Sequence, residues 1–323
     1  MNRAEMNGEI SVVMATFNGE RYVKEQLDSI LKQTLQPKEI VIVDDCSTDN
    51  TWAILQDYAL KHPHVKVFRN DTNMGAHQNF RKAFSLSSCP LIAPSDQDDL
   101  WREDKLEVLN DLLTQREVDL VYSQEKILWE KGDSEMDIHD MPSMKDFIWG
   151  NCLKGHTFLF KRTMLEVYDI VKRLSFDYAL AIKAGITGSY ASTNEILSIW
   201  RRHSGVMTTA KSDDSELIIS DVPRQEKIWY AVCHLKKERS MPIEVSFHDR
   251  SLLFSLVPEH KHLSRICKNI AKQTWWSMLK ASLLNVLVQS YEKGIRNKMA
   301  HAMWAMRQPW IYWYDMHLLK SLE

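Results

Sequence analysis

Ser95-Asp96-Gln97-Asp98-Asp99-Leu100-Trp101 places three carboxylates in four consecutive positions. The run before it, Cys89-Pro90-Leu91-Ile92-Ala93-Pro94, is short and apolar and reads as the end of a buried strand. After it, Arg102 to Gln115 reads as a helix with Leu106, Leu109, Leu112 and Leu113 on one face. The acids therefore crowd the point where a strand stops and a helix begins. Like charges packed this closely repel and call for a counter-cation. Carboxylate oxygens suit hard divalent ions, Mg2+ or Mn2+. The alternative is an acidic helix start capped by Asp96 or Asp99. The rest of the chain decides between them.

Glu9 to Phe17 is β-rich and mostly apolar, as a strand covered on both faces is. Asn18-Gly19 breaks it, and a helix follows from about Glu20 to Gln33 with Val23, Leu27, Ile30 and Leu31 inward. Glu39 to Val43 is a second strand, Thr51 to Lys61 a second helix, Val65 to Phe68 a third strand and Ala76 to Leu86 a third helix. This alternation predicts a doubly wound, mostly parallel α/β sheet. In such a sheet the strand ends share one edge, where ligands bind. Thr16 and Asn18, then Asp44 and Asp45, then Asp96, Asp98 and Asp99 are the polar groups brought there. No strand is followed by Gly-x-Gly-x-x-Gly or by a P-loop, which argues against a dinucleotide or P-loop site. Asp44-Asp45 suits hydrogen bonds to a base N–H or to ribose hydroxyls. Capping of the second helix by Asp45, Ser47 or Asp49 is the competing reading.

With 323 residues the chain holds one large domain or two ordinary ones. A net charge of -2 gives no field for nucleic acid. Cys46, Cys89, Cys152, Cys233 and Cys267 are scattered, which fits a reducing compartment and no zinc or disulfide framework. Met1 to Glu9 has no apolar signal core, and no apolar run reaches membrane-spanning length.

Val-Val-Met-Ala-Thr-Phe-Asn-Gly (12–19), Ile-Val-Ile-Val-Asp-Asp-Cys-Ser-Thr-Asp (40–49), Asn-Met-Gly (73–75) and Ser-Asp-Gln-Asp-Asp-Leu-Trp (95–101) resemble the family 2 glycosyltransferases, over roughly residues 9–205. The last motif is similar to the bacterial rhamnosyltransferase-like branch. The resemblance implies the GT-A fold and inverting transfer with a divalent metal, Mg2+ or Mn2+. It implies that Thr16, Asp45 and Asp44 hold the nucleoside and that Asn73 and Gly75 line its pocket. Asp98 would ligate the metal with help from Asp99, and Asp96 would lie nearer the donor ribose. Asn18, Asn151 and His156 complete the expected substrate set. Where the branch often reads Gly-Cys-Thr this chain has Gly155-His156-Thr157, so His156 is expected either in the acceptor pocket or in a core hydrogen bond.

Asp119 to Trp129 reads as a further strand, Glu130 to Met141 as an acidic surface loop, Met164 to Leu174 as a helix and Gly188 to Trp200 as a short strand region. Asp177, in Ser175-Phe176-Asp177-Tyr178, matches the family's catalytic base by position, although Phe176 and Tyr178 depart from the usual neighbours. A helix cap is the competing role. Trp200-Arg201-Arg202-His203 resembles the branch's signature near the diphosphate, which implies His203 as a metal or phosphate ligand and Arg201 as a phosphate clamp. Residues 206–222 read as a lid.

The expected division is a catalytic domain over residues 1–222 and a helical extension over 223–323. From His262 onward nine basic residues face three acidic ones, with Trp275, Trp276, Trp304, Trp310 and Trp313 among them. That composition suits peripheral contact with an anionic membrane, or a helical cap on the core. Together these features predict a glycosyltransferase taking a nucleotide-sugar donor, dTDP-rhamnose or a UDP-hexose. The acceptor is a glycan or lipid-linked glycan of O-antigen, capsule or exopolysaccharide synthesis at the cytoplasmic face of the inner membrane. A sugar-nucleotide nucleotidyltransferase and a glycan-binding scaffold of the same fold are the rivals. The first lacks its Gly-rich basic loop after strand one. The second has no need of the acids.

Overall fold

The computed structural model describes residues 9–130, 132, 134–137, 140–141, 153–171, 174–203, 250–255, 261–272 and 280–281. Asn151, the segment 206–222, the expected helix at 226–237 and the C-terminal tryptophans lie outside the described residues. The chain divides into two compact units. One comprises residues 1–141, 152–167 and 175–209, the other residues 142–151, 168–174 and 210–323.

In the first unit β1 (Ile10–Thr16), α1 (Val23–Leu31), β2 (Glu39–Asp44), α2 (Thr51–Lys61), β3 (Val65–Arg69), α3 (Ala76–Leu86) and β4 (Leu91–Ser95) follow the predicted alternation. The strands lie in the order β3-β2-β1-β4 and are all parallel. β-Branched residues explain the strands. Val12, Val13, Ile40, Val41, Ile42 and Val43 are all fully buried, as a sheet covered on both faces requires. Each such side chain contributes about 1.5–3 kcal/mol when buried. Val23, Leu27 and Ile30 of α1 are buried against this sheet, while Leu31 is only partly covered.

Beyond β4 the sheet changes character. β5 (Leu100–Trp101), α4 (Lys105–Arg116), β6 (Leu120–Trp129), β7 (Ser134–Asp137), β8 (Phe158–Lys161), α5 (Val167–Ile170), α6 (Phe176–Thr187) and β9 (Tyr190–Arg202) complete the order of elements through residue 202. The sheet continues β4-β8-β6-β9-β5, with β7 paired to β6. β8 is antiparallel to β4 and to β6, whereas β9 is parallel to β6. Three local expectations change. Leu100 and Trp101 form a strand antiparallel to β9 before the helix begins. The acidic stretch after β6 holds β7, antiparallel to β6, instead of being loop throughout. Arg162–Glu166 is a 3-10 turn ahead of the short α5, where one helix was expected.

In the second unit α7 (Lys261–Ala271) buries Leu263, Ile266 and Cys267 and exposes Lys261, Arg265 and Lys268. Ser264 donates to the Ser251 carbonyl at 2.9 Å. No helix among the described residues is long and apolar enough to cross a membrane.

Glu39, at the start of β2, is only 3% exposed and has four donors around it. It accepts from Ser11 Oγ at 2.6 Å, Lys66 Nζ at 2.5 Å, Ser88 N at 2.5 Å and Ser88 Oγ at 2.9 Å. Burial pushes its carboxyl up, but these donors outweigh it and hold the pKa down at about 2. A carboxyl depressed on folding stabilises above its unfolded pKa, and that stability is lost as pH falls toward the folded value. Glu39→Gln is therefore expected to cost about 2–3 kcal/mol at neutral pH and to flatten the loss of stability between about pH 4 and pH 2. Urea melts of both proteins across that window check it.

Candidate functional site

Parallel register sets the strand ends side by side. Thr16 pairs with Asp44, Asp44 with Arg69, and Met14 with Ser95. At this edge Asp44 is fully buried, and its carboxylate is engaged on every side. Thr16 Oγ1 donates to it at 3.1 Å and Ser47 N at 3.0 Å, Ser47 Oγ also donates, and Arg69 Nε lies 3.4 Å away. Thr16 is itself 1% exposed. Thr16 and Asp44 thus close the turn after β2. Both acids of the pair are buried, Asp44 fully and Asp45 with 2% exposed.

Asp45 is the second acid of that pair. It ties this turn to the 73–75 turn, accepting from Asn70 Nδ2 at 2.7 Å, Met74 N at 2.8 Å and Gly75 N at 2.8 Å. Gly75 has φ 81°, which explains the glycine, and its N–H also meets Asn73 Oδ1 at 3.1 Å. Asn18 is exposed with φ 48°, and its Oδ1 accepts from Thr48 N at 2.9 Å. Asn18, Asp45, Asn73 and Gly75 are thus joined around one rim by short-range turns.

The acidic loop meets this rim through Gln97, which the sequence reading passed over. Its Oε1 accepts from Phe17 N at 2.9 Å, and its Nε2 donates to Phe17 O at 3.0 Å. A Cβ on Gly19 would overlap the same amide, so Gly19 is needed for space. The Phe17 ring is left 43% exposed beside the rim. Within the loop the acids separate. Asp98 lies 3.0 Å from His203 Nε2, and its side chain is 13% exposed. Burial and then Asp96 push its carboxyl up, against the pull of His203. The His203 ring packs on Tyr22 with centroids 4.4 Å apart. Asp98 and His203 are far apart in sequence, and β9 running beside β5 brings them together.

Asp99 turns inward and is fully buried. Neither of its carboxylate oxygens has a hydrogen-bond partner among the described residues. His156 is 3% exposed, with Nδ1 at 3.3 Å from Asp99 Oδ2 and 3.3 Å from Asp96 Oδ2. Its Nε2 meets Glu125 Oε2, a buried acid on β6. Burial works against charge on His156, but Asp99 and Glu125 prevail and hold its pKa well above the usual histidine range. Lys105 is fully buried and donates to the His156 carbonyl at 2.5 Å, with its ammonium 3.9 Å from the Trp101 ring centroid. Burial pushes Lys105 down to about 7. His156 therefore holds carboxylates internally and does not line an open acceptor pocket.

Arg201 Nη1 pairs with Glu25 at 2.6 Å, and Nη2 donates to the Asp99 carbonyl at 3.4 Å. It ties Glu25 of α1 to the backbone of the acidic loop. Asp177 sits in the first turn of α6. Burial pushes its carboxyl up, Ser175, Tyr178 N and Lys154 pull it down, and Asp96 adds a further push up. Asp96, whose side chain is 44% exposed, is thus within electrostatic reach of Asp177.

The loop suits a divalent cation on its own chemistry. Asp96, Asp99 and His156 offer ligand atoms all within 4.8 Å of one another, and both Asp99 oxygens lack donors among the described residues. Asp98 and His203 make a second oxygen–nitrogen pair nearer the surface. Carboxylate oxygens fit Mn2+ or Mg2+.

Residues 11–169 match the sequence model of Glycosyl transferase family 2. An uncharacterised protein of Mycobacterium tuberculosis is 26% identical over 216 residues, covering 63% of this chain and 62% of that protein. The chain thus spans less than two thirds of that relative's length. The dTDP-rhamnosyl transferase RfbG of Shigella flexneri is 32% identical over 160 residues, 47% of this chain and 55% of that enzyme. Among solved structures, residues 1–349 of TarS from S. aureus with UDP superpose with a TM-score of 0.54 at 19% identity, covering 98% of this chain and 92% of that one. At that identity the likeness speaks for the fold, which is GT-A.

Proposed function

We propose, from the family 2 glycosyltransferase domain that residues 11–169 of this chain form, that the protein transfers a sugar from a nucleotide-diphosphate donor to an acceptor hydroxyl with inversion. What supports this reading is that Asp96 lies within electrostatic reach of Asp177, while Asp98 of the same acidic loop pairs with His203 at 3.0 Å. Asp98 and His203 would hold the cation, with Asp96 beside them. When bound, the cation neutralises the negative charge that grows on the departing diphosphate. Asp177 takes the proton of the acceptor hydroxyl while that oxygen attacks the anomeric carbon from the face opposite the diphosphate. The bond to the diphosphate breaks, and its electron pair leaves with the nucleotide. A carboxyl raised by burial is the stronger base for this task. Asp45 acts by fixing the 73–75 turn, and Asn18, Asn73 and the exposed Phe17 ring are the groups left to meet the nucleoside.

The donor is dTDP-rhamnose or a UDP-hexose, and the acceptor is a glycan or lipid-linked glycan of bacterial surface polysaccharide. The relationship to RfbG supports the first donor. The exposed cations Lys261, Arg265 and Lys268 of α7 support peripheral contact of residues 223–323 with an anionic membrane by charge, since its apolar face is already buried. The domain boundary near residue 222 belongs to the same proposal.

A panel of sugar nucleotides incubated with Mn2+ or Mg2+ tests the reading. Free nucleoside diphosphate is expected from one donor class, and EDTA should stop its release. Failure of every donor to release nucleotide, or to raise the Tm with metal present, would overturn it.

A further inference from the structure

The 3-10 turn Gly155–Thr157 touches both halves of this rim. On one side His156 Nδ1 lies 3.3 Å from each of Asp96 and Asp99. Its other nitrogen meets Glu125 on β6, so the imidazole cannot swing away without leaving a buried acid unpaired. On the other side stands Gly155. Its φ is outside the left-handed region, so backbone freedom does not explain a glycine there. Space does: a Cβ on Gly155 would overlap Phe176 Cζ and Cε2, against the edge of the ring. That ring is held by Phe80, centroids 4.7 Å apart, and Phe84 at 5.3 Å, so it has no easy retreat. Phe176 opens α6, and Asp177 is the next residue.

We infer that Gly155 and His156 are positioning residues: one short turn seats the start of the base-bearing helix on Phe176 and grips the acidic loop through the imidazole, fixing the distance between Asp177 and the carboxylates. The inference rests on the reaction proposed above and gives Gly155 and His156 a part in it other than contact with substrate or cation. A displacement of about 1 Å between reacting groups lowers turnover about 100-fold without touching either group.

The test is a cycle of Gly155→Ala, Phe176→Leu and the double variant in the full chain. Gly155→Ala is expected to lower kcat about 30- to 100-fold, to leave donor KM within about threefold, and to lower the Tm by about 2–6 °C. In the double variant the smaller side chain makes room for the new methyl group, so at least half of the lost Tm and about tenfold of the lost kcat should return. Additive effects on Tm and kcat would overturn the inference, and so would a Gly155→Ala protein with unchanged kcat. The Tm cycle needs no turnover. If the wild type processes no sugar nucleotide but the Tm cycle shows rescue, the reaction fails and the seating of Phe176 by Gly155 stands. If the wild type is active and the cycle is additive, the positioning role fails and the reaction stands.

Discussion

Asp177→Asn is expected to lower transfer about 1,000-fold or more while nucleotide and metal binding stay within about twofold. The two side chains have the same shape, and the amide still accepts the Tyr178 N–H that Asp177 accepts at 2.8 Å. What disappears is the basic oxygen. Burial already disfavours charge at this site, so the neutral amide should not destabilise α6. The same burial predicts the pH profile. A base is useful only when deprotonated, so kcat/KM should fall as pH drops through the raised Asp177 pKa, giving an acidic limb above the ordinary aspartate range. Asp177→Glu should keep that limb with reduced turnover. Steady-state kinetics with the productive donor, beside nucleotide titration calorimetry, separate the loss of chemistry from a loss of binding. Transfer by Asp177→Asn at wild-type rates would assign the residue to capping α6.

How far the sequence reaches is shown by contrast between residues. β1 to β4 and α1 to α3 were legible because apolar runs and helical periods alternate there without interruption. Asp45, Gly75 and Asp98 were singled out because they stand in the motifs that carry the family resemblance. The enclosure of Asp44 was not legible, since it depends on Arg69 and Thr16 arriving from neighbouring strands and on Ser47 closing over it. The antiparallel half of the sheet was hidden for a similar reason. β5 has two residues and β8 four, too few to carry a period, and their strand character comes from pairing with β9, β4 and β6. His156 was visible as a residue type but not as a link. Its partners at 96, 99 and 125, and the lysine at 105, meet it only through the fold. The part of Gln97 is set by its amide, which pairs with the Phe17 backbone only in the fold.

Asp98→Asn carries the second large effect, and its two consequences have opposite signs. Asp98 is a mostly buried acid whose pKa is pushed up by burial and by Asp96. For an acid raised on folding, stability falls as pH rises through the folded pKa, because the native state must then hold an unwanted charge. A neutral amide removes that penalty, so the metal-free Asp98→Asn protein should melt higher than the wild type at neutral pH, and the gap should close as pH falls. Function moves the other way. Loss of an anionic ligand should weaken Mn2+ binding about 10- to 100-fold and cut metal-dependent nucleotide release about 1,000-fold. His203→Ala removes the other member of the 3.0 Å pair. If one cation joins them, the double variant should lose little more than the worse single variant. Thermal melts with and without Mn2+, read for both variants, decide it. A lower metal-free Tm for Asp98→Asn, together with an undiminished Mn2+ shift, would mean that Asp98 braces the loop through His203 and that the cation is held elsewhere. The stability gained by neutralising this one carboxylate is then a measure of the strain that a crowded acidic loop keeps in reserve for its metal.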